Sequence, residues 1–129
     1  MPRGSVTPVG TVLLGRRILI VEDDYLIALG LSDILTQAGA EVVGPIGFVP
    51  EAVAFVEAQA DSFDAAVLDV NMHGRKTYPV ADALAARGIR FVFTTGYGAD
   101  ALEPAYRGYP RCDKPVDRSA LLAALTAEV

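Results

Sequence analysis

The chain has 129 residues, 52% of them hydrophobic, with 11 basic and 16 acidic side chains and a formal charge of −5. That size suits one domain whose core needs no cross-links, and the composition excludes a disordered chain, a collagen and a disulfide scaffold. The acidic balance argues against a basic nucleic-acid-binding face, and the single cysteine, Cys112, excludes an internal disulfide and fits a reducing, cytoplasmic compartment.

Residues 1–15 carry Pro2, Gly4, Pro8, Gly10 and Gly15 without an apolar period and read as a flexible leader, so the folded domain is expected over 16–129. The apolar run Val12–Leu14 is halted by Arg16 and Arg17, far short of a membrane span or a signal-peptide core. Arg17–Val21 is a short, β-branched apolar run, as suits a strand buried on both faces. Ile27, Leu31, Ile34 and Ala38 then mark one helix face that stops near Gly39. Glu41–Gly44 reads as the second strand, and Ala52, Val53, Val56 and Ala60 as a second helix.

Ala65–Asp69 is the third strand, and Val80, Ala83, Leu84 and Arg87 belong to a helix ending at Gly88. Arg90–Thr94 is the fourth strand. Between Ala99 and Arg107, Pro104 leaves room only for a short or mobile fourth helix. Tyr109–Cys112 is a weak fifth strand, and Asp117 suits the N-cap of a last helix that carries Leu121, Leu122 and Leu125. Alternating strands and helices with short connections predict an α/β fold: a doubly wound parallel sheet whose strand ends meet in one crevice.

Those ends carry the chemistry. Glu22-Asp23-Asp24 closes the first strand, Asp69 the third and Thr94-Thr95 the fourth, while Lys114 follows the fifth. Several carboxylates beside one ammonium repel one another unless a cation joins them, and Mg²⁺ is the hard, oxygen-seeking ion that suits them. A carboxylate can also be the nucleophile toward a phosphoryl group, with a cation, an ammonium and a hydroxyl neutralising the equatorial oxygens.

The stretches ILIVEDD, AAVLDVNMHG, FVFTTGYG and DKPV, in this order, resemble the receiver domain of two-component response regulators over Arg16 to the C-terminus. The Phe93–Tyr97 stretch also resembles a stand-alone subfamily marked by Phe-x-Thr-Gly-Tyr and typical of alphaproteobacterial stress signalling. The resemblance implies a flavodoxin-like, five-stranded sheet of order 2-1-3-4-5. It makes Asp69 the phosphoacceptor, Thr95 the switch hydroxyl and Lys114 the salt-bridge partner of the phosphoryl group. It gives Mg²⁺ to Asp23 and Asp69, to Glu22 and to the backbone carbonyl of Asn71, and it implies a cis Lys114–Pro115 bond.

On the same resemblance, a sensor histidine kinase or histidine phosphotransfer protein docks near Tyr25, Leu26 and Pro115. Gly96 and Tyr97 belong to a surface that meets a downstream protein, and a weak homodimer is compatible with the pattern. The expected domain is not an enzyme beyond Mg²⁺-dependent self-phosphorylation and autodephosphorylation. With no output domain expected after the last helix, it signals by contact or drains phosphate. A pseudo-receiver that binds partners without phosphorylation is the alternative; a haloacid-dehalogenase-type phosphatase would want Asp-x-Asp where this chain has Glu22-Asp23-Asp24. Three departures stand out: Arg111 where the family usually has an aromatic, His73 where Pro commonly follows Met72, and Pro104 within the fourth-helix region.

Overall fold

The structure is a computed structural model, and it describes residues 12–96 and 101–127. The main sheet contains β1 (Arg17–Val21), β2 (Glu41–Ile46), β3 (Ala65–Asp69), β6 (Arg90–Thr95) and β7 (Arg111–Asp113). All neighbours are parallel, in the order β2-β1-β3-β6-β7. This is the expected 2-1-3-4-5 arrangement, because β4 (Asn71–Met72) and β5 (Arg75–Lys76) form a separate antiparallel hairpin outside the main sheet. The helices are α1 (Tyr25–Gln37), α2 (Val49–Ala58), α3 (Tyr78–Ala86) and α4 (Arg118–Thr126).

The central strands are apolar on both faces because both are covered. Leu19, Val21, Ala66, Leu68, Phe91 and Phe93 pack toward α2 and α3, while Ile18, Ile20, Ala65, Val67, Val92 and Cys112 pack toward α1 and α4. Burial pushes the Cys112 thiol above its ordinary range, so it acts as packing. Asp117 caps α4 as expected, its carboxylate accepting the Ala120 amide at 2.9 Å.

Four expectations shift in detail. Leu13, on the leader side of the expected boundary, is fully buried, and its amide donates to the Ala38 carbonyl at 2.8 Å. The packed unit therefore reaches back to Leu13. The second strand continues past Gly44 to Ile46, because the edge position of β2 tolerates a proline and the register shifts there against β1. Gly44 itself is required, since at φ +94° a Cβ would stand 2.8 Å from the Ile20 carbonyl oxygen. The fifth strand lies at Arg111–Asp113, later than expected. In the fourth-helix region the described residues include a 3-10 turn at Pro104–Tyr106.

That turn is held by rings instead of helical length. Tyr106 stacks on Tyr78 at 4.0 Å with 6° between planes, and the Tyr78 hydroxyl accepts the Glu103 amide at 2.9 Å. Tyr106 donates its hydroxyl to Asp82 at 2.9 Å; burial and the neighbouring carboxylates push it up to about 12, so it stays protonated. No helix among the described residues is long and apolar enough to cross a membrane.

At the opposite rim of the sheet, Arg17 clamps Asp64 through its backbone amide (2.7 Å) and through Nη2 (3.0 Å). These hydrogen bonds hold the Asp64 carboxyl below its ordinary range. A depressed folded-state pKa stabilises above the unfolded value, near 4, and that contribution is lost as pH falls through the folded value. The urea midpoint of wild type should therefore exceed that of Asp64→Asn at pH 6, and the gap should close as the pH is taken below about 4. A gap that stays constant down to pH 3 would remove the ion pair from the account.

Candidate functional site

Parallel strands deliver their carboxyl ends to one rim, and four acid or base side chains arrive there from three strand ends. Glu22 and Asp23 follow β1, Asp69 ends β3 and Lys114 follows β7. Lys114 Nζ sits 3.1 Å from Asp69 Oδ2 and 3.3 Å from Glu22 Oε1. Glu22, Asp23 and Asp69 each offer an oxygen, all within 4.8 Å of one another. Glu22 and Asp69 are buried, at 3% and 7% exposure, whereas Asp23 is half-buried.

Burial pushes the Glu22 carboxyl up to about 7, against the Asp24 amide it accepts; the Asp69 charge adds to the rise and Lys114 opposes it. Burial alone would lower Lys114, but the charges of Asp69 and Glu22 outweigh it and hold the ammonium above its usual range. For Asp23 burial acts upward, but the His73 amide and the Glu22 carboxyl outweigh it, leaving the group below its ordinary range.

With all of them ionised, three carboxylates and one ammonium leave an excess of two negative charges at one point. A small dication with oxygen ligands is the chemical complement of that set, so the residues present fit Mg²⁺. Beside them lies a cavity of about 410 Å³ lined by Asp69, Asn71, Lys76, Thr95, Gly96 and Lys114. Thr95 is buried at its wall, Gly96 is exposed, and the Asn71 amide donates to Asp69 Oδ1 at 3.2 Å. Lys114–Pro115 is cis.

The remaining expected residues fall as follows. Tyr25 and Leu26 are 74% and 75% exposed on α1. Pro115 is also exposed and lines a second, largely apolar groove of about 470 Å³ with Ile27, Gly30, Leu31, Ile34 and Val116. Tyr97 lies outside the described residues. Arg111 points outward and pairs with Asp113 at 3.0 Å.

Sequence reasoning missed Thr77. It is fully buried just before α3, yet it makes no side-chain cap. Its hydroxyl donates instead to the backbone carbonyls of Asp69 (2.5 Å) and Val70 (3.2 Å), tying the end of β3 to the start of α3. The Thr-Tyr-Pro start of a helix was the available signal. Thr77→Val keeps the shape but leaves the Asp69 carbonyl without this donor, and should lower unfolding free energy by about 1–3 kcal/mol in urea titrations.

No protein-family model matches the chain. The solution structure of SdrG from Sphingomonas melonis Fr1 is 44% identical, with a TM-score of 0.75, covering 88% of this chain and 97% of that one. A second SdrG structure, in a BeF3-activated conformation, is matched at a TM-score of 0.71 and 44% identity, over 84% of this chain and 94% of that one. The receiver domain of the sensor histidine kinase PA1611 from Pseudomonas aeruginosa PAO1 has a magnesium ion coordinated in its active-site cleft; it shares the fold at a TM-score of 0.72 and 23% identity, over 86% of this chain and 94% of that one. Among curated proteins, the transcriptional regulatory protein PdtaR of Mycobacterium tuberculosis is 36% identical over 74 residues, which is 57% of this chain but only 35% of PdtaR.

Proposed function

Because the chain belongs to the response-regulator receiver family of two-component signalling, we propose that it is a Mg²⁺-dependent phosphoryl acceptor acting in the cytoplasm, with the Asp69 carboxylate as nucleophile. The observation that carries this reading is the single ammonium of Lys114 shared between the buried carboxylates of Asp69 and Glu22, with Asp23 alongside. Asp23, Glu22, Asp69 and the Asn71 carbonyl are the residues that would hold the ion. When bound, Mg²⁺ offsets the charge of the phosphoryl oxygens.

The donor is a phosphohistidine on a sensor kinase or a phosphotransfer protein. An Asp69 oxygen forms the new P–O bond while the P–N bond to the donor imidazole breaks; its electron pair stays on that nitrogen, which takes a proton from water. Lys114 answers the added negative charge, and Thr95, at the wall of the same cavity, donates its hydroxyl to a phosphoryl oxygen. Tyr25, Leu26 and Pro115 offer exposed apolar surface beside the rim for the donor. Gly96, with Tyr97 in the Phe-x-Thr-Gly-Tyr stretch, follows Thr95 directly and would carry the change to a downstream protein, or the domain would drain phosphate from its donor. Such a switch is a population shift between two arrangements of the loop after β6, biased by the new charge.

Intact-protein mass after incubation with acetyl phosphate tests this. Wild type should gain one phosphoryl group with Mg²⁺ and none with a chelator, and Asp69→Asn should gain none. A wild type that stays unmodified with Mg²⁺, or an Asp69→Asn variant that is modified, overturns the assignment.

A further inference from the structure

Asp23 is steered by a part of the molecule that the proposed function does not use. The β4–β5 hairpin turns through His73 and Gly74, both at positive φ (+53° and +77°), the backbone of a tight two-residue turn. At its tip the His73 amide donates to Asp23 Oδ2 at 2.9 Å, fifty residues back in the chain. The His73 ring lies flat on the Phe48 ring, at 4.7 Å between centroids and 14° between planes. Phe48 is the N-cap of α2.

Phe48 is a poor choice for that position on local grounds. N-caps favour side chains that accept an amide hydrogen, and Phe48 makes no side-chain cap; its ring is also 59% exposed. His73 sits in a backbone region that non-glycine residues seldom visit. Two local costs meeting in one contact point to a role for the contact itself. The hairpin is anchored at its base, where Met72 is buried and the Thr77 amide donates to Val70. Its tip is secured sideways by the Phe48 ring.

We propose that Phe48 and His73 are positioning residues: their stacked rings clamp the hairpin tip to α2, so that the His73 amide fixes the rotamer of Asp23 for a divalent cation. The inference rests on the reading of Asp23 as a Mg²⁺ ligand. Without the clamp the tip swings, the amide leaves Oδ2, and Asp23 must be ordered at the moment the ion binds.

Mg²⁺ titration by calorimetry tests it, paired with hydrogen exchange of the amide at position 73 in metal-free protein. Phe48→Leu keeps an apolar side chain without a ring, and His73→Asn keeps a residue type that tolerates positive φ. Each should weaken Mg²⁺ binding roughly three- to tenfold, the scale of one aromatic pair, and speed exchange at position 73 by a similar factor. The double variant should be no weaker than His73→Asn alone, since Phe48→Leu removes only the stack, whereas His73→Asn also removes the ring Nδ1 that lies 3.6 Å from Asp23 Oδ2. Phe48→Tyr, which preserves the stack, should match wild type in both measurements.

Wild-type affinity and exchange in Phe48→Leu, or additive losses in the double variant, overturn the clamp. Asp23→Asn separates this from failure of the underlying reading. If Asp23→Asn loses Mg²⁺ binding while Phe48→Leu keeps it, the clamp falls alone. If Asp23→Asn binds Mg²⁺ as wild type does, the ligand assignment itself falls.

Discussion

Lys114→Met should cost the metal-free fold about 3 kcal/mol, the low end of the range for stripping one partner from a buried ion pair. Its ammonium is the cation that pairs with both Glu22 and Asp69, whose side chains are 1% and 9% exposed, while its own is 20% open to water. Removing it leaves two buried carboxylates facing each other, with Asp23 close by. Glu22, already pushed up to about 7, will then hold its proton more tightly. A raised carboxyl pKa makes the folded form bind more protons, so the loss should grow between pH 6 and pH 8. Mg²⁺ at about a hundred times its dissociation constant restores roughly 2.7 kcal/mol by mass action. Urea titrations in chelator and in Mg²⁺ measure both quantities. An unchanged midpoint in chelator would mean that the ammonium does not balance these acids.

Phe93→Ala should cost about 4 kcal/mol, within the ~3–5 kcal/mol typical of losing a buried phenylalanine. The ring is fully buried and packs edge-on, at 87°, against Tyr78, Phe91 and Tyr106, and at 72° against Tyr109. Those partners come from α3, from β6 itself and from the stretch around the 3-10 turn. The hole therefore loosens the residues around the 3-10 turn as well as the sheet. Near-UV circular dichroism should fall before global unfolding, and the Glu103 amide, now bonded to Tyr78, should exchange faster. Loss of stability with an intact near-UV signal would show that the turn does not depend on Phe93.

The strands were legible where burial is two-sided. Arg17–Val21 and Ala65–Asp69 have the same limits in sequence and structure, because a short apolar run bounded by charged residues leaves little choice of ends. The cluster of Glu22, Asp23, Asp69 and Lys114 was legible because parallel strands must bring their ends to one rim. The clamp over Asp23 was not. It depends on a two-residue hairpin whose short strands, Asn71–Met72 and Arg75–Lys76, carry no hydrophobic period, and on a ring contact across twenty-five residues of chain. Leu13 was missed for a similar reason: in the three-residue apolar run Val12–Leu14 only the middle side chain is buried, too short a stretch to show a period. The extent of β2 was hidden by Gly44-Pro45, which ordinarily ends a strand and here sits within an edge strand. Thr77 resembled an ordinary helix start, and only its turned-in hydroxyl distinguishes it.

The backbone at His73 limits how loops can be exchanged among relatives. A proline there would be locked near φ −65°, against the observed +53°, and would have no N–H to offer Asp23. A Met-Pro segment grafted from another receiver would thus bring its own loop shape and leave one acid of the pocket unsupported. Chimeras built on this scaffold must transplant residues 48 and 71–76 together, or neither.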